Sequence, residues 1–245
     1  MQFPIKIQKI INSRTPRIDR YLLQRKPRLS FNQRGDEDLK VDINLIYDSH
    51  EIRDDQIAYD ELANLIIGLK PKLKFESILE LGCTSGNLIL GLHKICPSLN
   101  LQGVEGFNFL KDAADHSIRE KIKIQDLREP ISNLEPADLL ICLEVGEHID
   151  PVAIEIFFGN IGALTRKYLF ISWSDSYPRP DAPPQHLSPL KQKDLAKILK
   201  NYGFQKEKNL SRTALLSSIE FGHFHPWWRD SMQIWKKVIG DESTN

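Results

Sequence analysis

Between Ser77 and residue 173, short apolar runs of strand length alternate with segments whose apolar residues recur at helical spacing. That alternation leaves the chain few architectures. Ser77–Leu81, 101–105, 121–125, Ala137–Leu143 and 168–173 read as strands. Asn87–Ile95, 109–117 and 151–164 read as helices, the last with Asp150 as N-cap and Pro151 at the first helical position. Ahead of them Ile57, Ala58, Leu62, Leu65, Ile66 and Leu69 share one helical face, with Pro71 ending the run. Strands separated by helices at this pitch need right-handed crossovers, so the pattern predicts an open parallel sheet with helices on both faces. Beyond it, residues 174–189 form an irregular loop with five prolines, and 190–202 a helix closed by Gly203. Residues 232–238 suit a strand or a helix equally.

The first of these strands runs into Ile78-Leu79-Glu80-Leu81-Gly82-Cys83-Thr84-Ser85-Gly86-Asn87, a turn that opens a helix. Glycine at 82 and 86 lets the backbone bend sharply and approach a ligand, and the helix start supplies oriented N–H groups. Nineteen residues after Gly86 the second strand ends in Gly103-Val104-Glu105-Gly106. A carboxylate at that tip is placed to bind both hydroxyls of a ribose. A dinucleotide site would want Gly-x-Gly-x-x-Gly to cradle a pyrophosphate. Here the spacing is Gly-x-x-x-Gly with Glu80 in front, which repels phosphate and suits an ammonium group. A nucleoside with a ribose, no phosphate and an amino-acid tail meets all three conditions, and S-adenosylmethionine is such a molecule.

Glu80-Leu81-Gly82-Cys83-Thr84-Ser85-Gly86 resembles the first motif of the class I S-adenosylmethionine-dependent methyltransferases, the seven-stranded Rossmann-like family. The resemblance spans residues 56–210 or so and implies an α/β fold: an open, mostly parallel seven-stranded sheet with helices on both faces, here with an N-terminal arm. It assigns cofactor contacts to Glu80, Gly82, Cys83, Thr84, Gly86 and Asn87 in the loop, and to Glu105 and Gly106 at the ribose. Asp126 would accept from the adenine amine and Leu127 would offer its backbone N–H, while Leu143 and Glu144 would border the transferred methyl. Thr84 departs from the family pattern, whose commonest form has glycine there.

Glu144-Val145-Gly146-Glu147-His148 follows the fourth strand, at the sheet edge where α/β proteins bind ligands. On a helical turn Glu144, Glu147 and His148 share a face. The loop after the fifth strand should bring His186 over the same edge. Two carboxylates and two imidazoles make a divalent-metal set of Glu144, Glu147, His148 and His186. The pattern resembles the metal-dependent small-RNA 3′-end 2′-O-methyltransferases, with their Glu-x-x-Glu-His and later His. It also resembles bacterial small-molecule and sugar methyltransferases with Glu-Val-x-Glu-His, a His-x-x-Pro loop (His186-Leu187-Ser188-Pro189) and a helix ending in Gly203-Phe204; this second match runs further along the chain. Three readings stay open: His148 as general base tuned by Glu147, with His186 in the catalytic set; a metal lowering the acceptor's pKa; or a structural turn.

Formal net charge is zero, which argues against a surface built throughout for nucleic acid. Residues 1–34 nevertheless hold nine basic residues and one acid, a net of +8 that leaves −8 for the rest. Residues 36–60 carry nine acids against Lys40 and Arg53. The chain divides into a basic arm, 1–40, and a methyltransferase domain, 41–245. Nucleic acid is confined to the arm as a partner. No run reaches the ~18 apolar residues of a membrane span. Three cysteines without Cys-x-x-Cys spacing suit reduced thiols, Cys83 included, so a cytoplasmic protein is expected. Trp173, Trp227 and Trp228 read as core, with an acceptor-pocket wall as the alternative. His223 and His225 read as a loop pair, or as a metal arm; Tyr47 and Tyr59 are lid candidates. The expected activity is O-methylation of a small-molecule or sugar (glycan) hydroxyl. The alternatives are an RNA 2′-O-methyltransferase and a catalytically silent binding subunit; the oligomeric state stays open.

Overall fold

The computed structural model describes residues 56–175, 186–224 and 226–238, the side chains of Pro226 and Trp227 excepted. The arm, the acidic block up to Asp55, Tyr47, His225 and residues 176–185 of the proline-rich loop lie outside the described residues.

Helix α1 (Gln56–Leu73) leads into β1 (Ser77–Leu81), and the pattern then continues through α2 (Asn87–Ile95), β2 (Asn100–Glu105), α3 (Asn108–Ala113) and β3 (Ile122–Ile124). The second half runs β4 (Ala137–Leu143), α4 (Ile154–Leu164), β5 (Thr165–Ser172) and α5 (Gln192–Asn201). It closes with β6 (Phe204–Lys206), α6 (Lys208–Ile219), α7 (Pro226–Ser231) and β7 (Gln233–Lys237). All seven strands join one sheet in the order β3-β2-β1-β4-β5-β7-β6. The first five are parallel; β7 runs antiparallel between β5 and β6. This is the seven-stranded, mostly parallel Rossmann-like arrangement.

The central strands are apolar on both faces, as strands covered by helices on two sides must be. Leu79, Leu81, Leu140, Cys142, Leu169 and Ile171 pack against α4 and α5 through Phe157, Phe158, Leu195 and Ile198. The alternate residues Ile78, Leu139, Ile141 and Phe170 join Leu62, Ile66, Leu88 and Leu92 of α1 and α2 on the other face. Strand order reverses direction between β1 and β4, so the crevice outside their carboxyl ends is the topological switch point where ligands bind. Among the described residues no helix is long and apolar enough to cross a membrane.

Several boundaries differ from the sequence reading. Pro71 lies inside α1, which continues to Leu73 because Leu69 and Leu73 are both buried; left-handed Lys74 (φ 49°) ends it. Asp150 does not cap α4. Its Oδ1 accepts from Val152 N at 3.1 Å and its carbonyl from Ala153 N at 2.9 Å, closing a turn over Pro151, and the helix proper starts at Ile154. The third helix stops at Ala113, and β5 starts three residues early, at Thr165. Residues Gln233–Lys237 are a strand.

Trp173 is fully buried. It stacks on Phe158 (5.3 Å between centroids, planes 3° apart) and meets Phe157 edge-on, while its Nε1 donates to Ser188 O at 2.9 Å. Trp228 is buried against Tyr59 and Phe224. Cys83, Cys96 and Cys142 are free thiols, Cys96 half-buried against the core.

The Trp173 ring lies over Gly146 so closely that a Cβ there would stand 2.1 Å from it. With Phe158 stacked on Trp173 the indole has no easy retreat. Gly146→Ala should therefore cost ~1–3 kcal/mol by overpacking and lower the Tm by about 5 °C. Differential scanning calorimetry checks this, and an unchanged Tm contradicts it.

Candidate active site

The loop after β1 is shaped by its glycines. Gly82 (φ 73°) and Gly86 (φ 78°) are left-handed. A Cβ on Gly82 would come within 2.5 Å of Val145 Cγ2, and one on Gly86 within 2.7 Å of Ile118 Cδ1. Conformation and packing both demand glycine. Thr84 is left-handed too (φ 49°), a strained state for a β-branched residue. Its N–H donates to Glu105 Oε2 at 2.9 Å, which holds it there. Gly86 N donates to Cys83 O at 2.8 Å; Gly86 is the N-cap of α2, and at the first helical residue Asn87 Oδ1 accepts from Ser85 Oγ at 3.2 Å.

Two acids sit buried at neighbouring strand tips. Glu80 is opposite Gly103 on β2 and Ile141 on β4. Burial, reinforced by the charge of Glu105, pushes its pKa from 4.5 up to about 8. Its Oε2 is buried without a hydrogen-bond partner. Glu105 is buried as well, which raises it to about 7 against the pull of three backbone N–H bonds. These are Gly106 N at 2.7 Å and Phe107 N at 3.2 Å on Oε1, and Thr84 N on Oε2. An orphaned buried carboxyl oxygen beside a glycine turn fits a cationic ligand group, so these residues suit the expected cofactor.

Asp126 follows β3 and is tied to β2 through Gln125 N, which donates to Glu105 O at 2.9 Å. Its carboxylate is engaged by Arg128, with Nε at 2.9 and 3.1 Å, Nη2 at 2.7 Å and the backbone N at 2.9 Å. Leu127 is buried in the core, and its carbonyl accepts from Asn160 Nδ2 at 3.1 Å.

At the β4 tip the chain leaves half-buried Leu143 into left-handed Glu144 (φ 53°). Glu144 N donates to Ser172 Oγ at 3.0 Å, and its Oε1 accepts from Ser231 Oγ at 3.0 Å. A 3₁₀ turn, Gly146–His148, follows. Glu147 is fully buried, and its Oε1 accepts from Ser174 N at 3.2 Å. Burial, then the charge of Glu144, pushes its pKa well up. Both causes favour its neutral form, and its Oε2 is buried without a hydrogen-bond partner. Ser188 carries the later loop over this edge: its N donates to Glu147 O at 2.8 Å and its Oγ to Ile149 O at 2.8 Å.

The result is convergence. The rings of His148 and His186 meet edge-on at 4.9 Å, and the ligating atoms of Glu147, His148 and His186 lie within 4.8 Å of one another. Glu144 stands outside that trio, held by Ser231. One carboxylate and two imidazoles are a fitting donor set for a divalent transition metal. His223 is elsewhere, exposed against Glu61 of α1 with Nδ1 to Oε1 at 3.4 Å. Sequence reasoning missed Arg128 and the serines 172, 174, 188 and 231. A lone serine carries no signal until the fold sets it against the turn that carries Glu144 and Glu147.

No protein-family model matches the chain, and no curated protein matches it. Solved structures do. The plantazolicin methyltransferase BpumL in complex with SAH superposes with a TM-score of 0.58 at 15% identity, over 95% of this chain and 100% of that one. Magnesium protoporphyrin IX methyltransferase (ChlM) from Synechocystis PCC 6803 with bound SAM gives 0.51 at 16%, over 97% and 100%. The methyltransferase domain of bacterial CtHen1-C gives 0.53 at 15%, over 74% and 98%. The chain has the Rossmann-like fold of class I S-adenosylmethionine-dependent methyltransferases.

The strain at Thr84 gives one prediction. Left-handed backbone costs a non-glycine residue ~1–2 kcal/mol, of which glycine's extra chain entropy takes back about half. Thr84→Gly should raise the Tm by about 2 °C, and a fall contradicts that account. The raised acid Glu80 gives another. The folded state holds its proton up to about pH 8 while the unfolded chain releases it near 4.5. The folded state then binds more protons, so stability falls as pH climbs through that window. Urea titrations between those limits should show the fall, and Glu80→Gln should flatten it.

Proposed function

We propose that the chain is an S-adenosylmethionine-dependent methyltransferase acting on an oxygen of a small molecule or sugar. The observation that carries this reading is the pair of buried acids, Glu80 and Glu105, on adjoining strand tips at the switch point. One is left with an orphaned oxygen; the other is held by three N–H groups. A cationic tail suits the first and a ribose diol the second. Gly82, Cys83, Thr84, Gly86, Asn87 and Gly106 line the approach, and the Asp126–Leu127 segment takes the base end. When bound, the cofactor supplies an electrophilic methyl group on a sulfonium.

Leu143 and Glu144 border the position of transfer, and the acceptor enters over Glu147, His148 and His186. His148 receives the hydroxyl proton at an imidazole nitrogen. Glu147 supports that turn from beneath, and His186 orients the acceptor from the facing loop. Orientation and exclusion of water supply much of the rate.

The convergence of Glu147, His148 and His186 also favours a second reading, in which these residues hold a divalent ion that lowers the acceptor's pKa. An RNA acceptor would draw on the basic arm, which lies outside the described residues, and a silent binding subunit would keep the cofactor residues without turnover.

The test has two parts. S-adenosylhomocysteine at saturation should raise the Tm by several degrees through mass action; no shift sinks the proposal. A radiolabelled-methyl survey over metabolite, glycan and RNA pools then identifies the acceptor. On that acceptor His148→Ala should lower turnover about 100-fold with S-adenosylhomocysteine affinity unchanged. Loss of activity in EDTA, restored by manganese, selects the metal reading over the base reading.

A further inference from the structure

We infer that the base of the bound nucleoside is met by Arg128, and that Asp126 acts as the residue that positions it. This rests on the cofactor reading above and sharpens its base end.

The sheet edge runs β4, β1, β2, β3, with neighbouring strands ~4.8 Å apart. A nucleoside whose tail lies at Glu80 on β1 and whose ribose lies at Glu105 on β2 must send its base outward, toward β3. The backbone leaving β3 is fixed there by Gln125 N, which bonds Glu105 O. Asp126 is the acidic group at this place, and its charge is already committed. Both oxygens accept from the Arg128 guanidinium, and Oδ1 accepts from the Arg128 backbone N as well. An ionised carboxylate offers about four acceptor positions, so little capacity is left for an exocyclic amine. The two-pronged, charge-assisted contact is also among the strongest side-chain pairings.

Within the pair the guanidinium is the outer member: the Arg128 side chain is 22% exposed and that of Asp126 9%. An incoming base therefore meets Arg128 first. A guanidinium is flat, permanently charged and donor-only. It can stack on a purine or donate to its ring nitrogens, but it cannot accept from the amine. The carboxylate contact expected from the sequence is replaced by contact with a cation that the carboxylate holds in place. The chemical consequence is tolerance at the purine 6-position.

The experiment is calorimetric titration of the full chain with S-adenosylhomocysteine and with S-inosylhomocysteine, whose 6-amine is replaced by a carbonyl. The wild type should bind the two within about threefold, and Arg128→Ala should weaken both by about tenfold. Asp126→Asn should weaken both in parallel, by less, without changing their ratio. Circular dichroism confirms that each variant is folded. Preference of the wild type for the amine by more than about thirtyfold, as a direct carboxylate contact would give, overturns the inference. So does Arg128→Ala binding S-adenosylhomocysteine as well as or better than wild type. Binding of neither nucleoside to the wild type overturns the cofactor reading and the inference together, an outcome distinct from altered selectivity.

Discussion

Two carboxyl groups buried side by side are the constraint around which the rest of the molecule is arranged. A parallel sheet that switches direction between β1 and β4 delivers Glu80 and Glu105 to neighbouring strand tips. Both lie under the loop that carries Gly82 and Gly86. Burial of an acid without compensation is unfavourable, and the two sites meet that cost differently. Glu105 collects three backbone N–H groups, one from a strained Thr84, so the same bond that stabilises the acid fixes the loop. Glu80 collects too little; it keeps its proton and one orphaned oxygen. Such an imbalance is characteristic of a site completed by a ligand of opposite charge.

The opposite wall depends on packing. Trp173 lies flat between Gly146 and Phe158 and bonds Ser188, which in turn bonds the backbones of Glu147 and Ile149. One indole thus joins the β4 tip, the end of β5 and the segment carrying His186. From the far side the last helix contributes Ser231, which steadies Glu144. The antiparallel strand β7 follows directly, paired to β5 and β6, so the acidic edge is completed by the final elements of the fold.

The elements that position the candidate site were legible in the sequence because periodicity and glycine placement are local. β1, α2 and β4 fall on the residues expected. What was not legible depends on burial and on contacts far along the chain. Pro71 reads as a stop, yet Leu73 is buried beyond it and the helix persists. Lys208–Ile219 is a helix whose apolar residues mark no single face, since Leu215, Leu216 and Ile219 are exposed while Ala214 is buried, so no period announces it. At the site, the spacing of Glu147 and His148 and the return of the later loop with His186 are legible, and these three converge. Glu144 shares a three- and four-residue spacing with Glu147 and His148, yet its Oε1 accepts from Ser231 Oγ and the group that converges is Glu147, His148 and His186. Asp126 is legible as the acid that follows β3, and only the fold reveals that Arg128 engages its carboxylate.

The central claim is that a buried, protonated Glu80 awaits a cation. It is tested most directly by titrating S-adenosylhomocysteine into the protein at pH 7 in buffers of different ionisation enthalpy. The account predicts release of about one proton per chain on binding, as the ligand's ammonium group drops a carboxyl pKa of about 8 below the working pH. It also predicts loss of that release in Glu80→Gln. Binding with no proton exchange, or unchanged exchange in that variant, would contradict it.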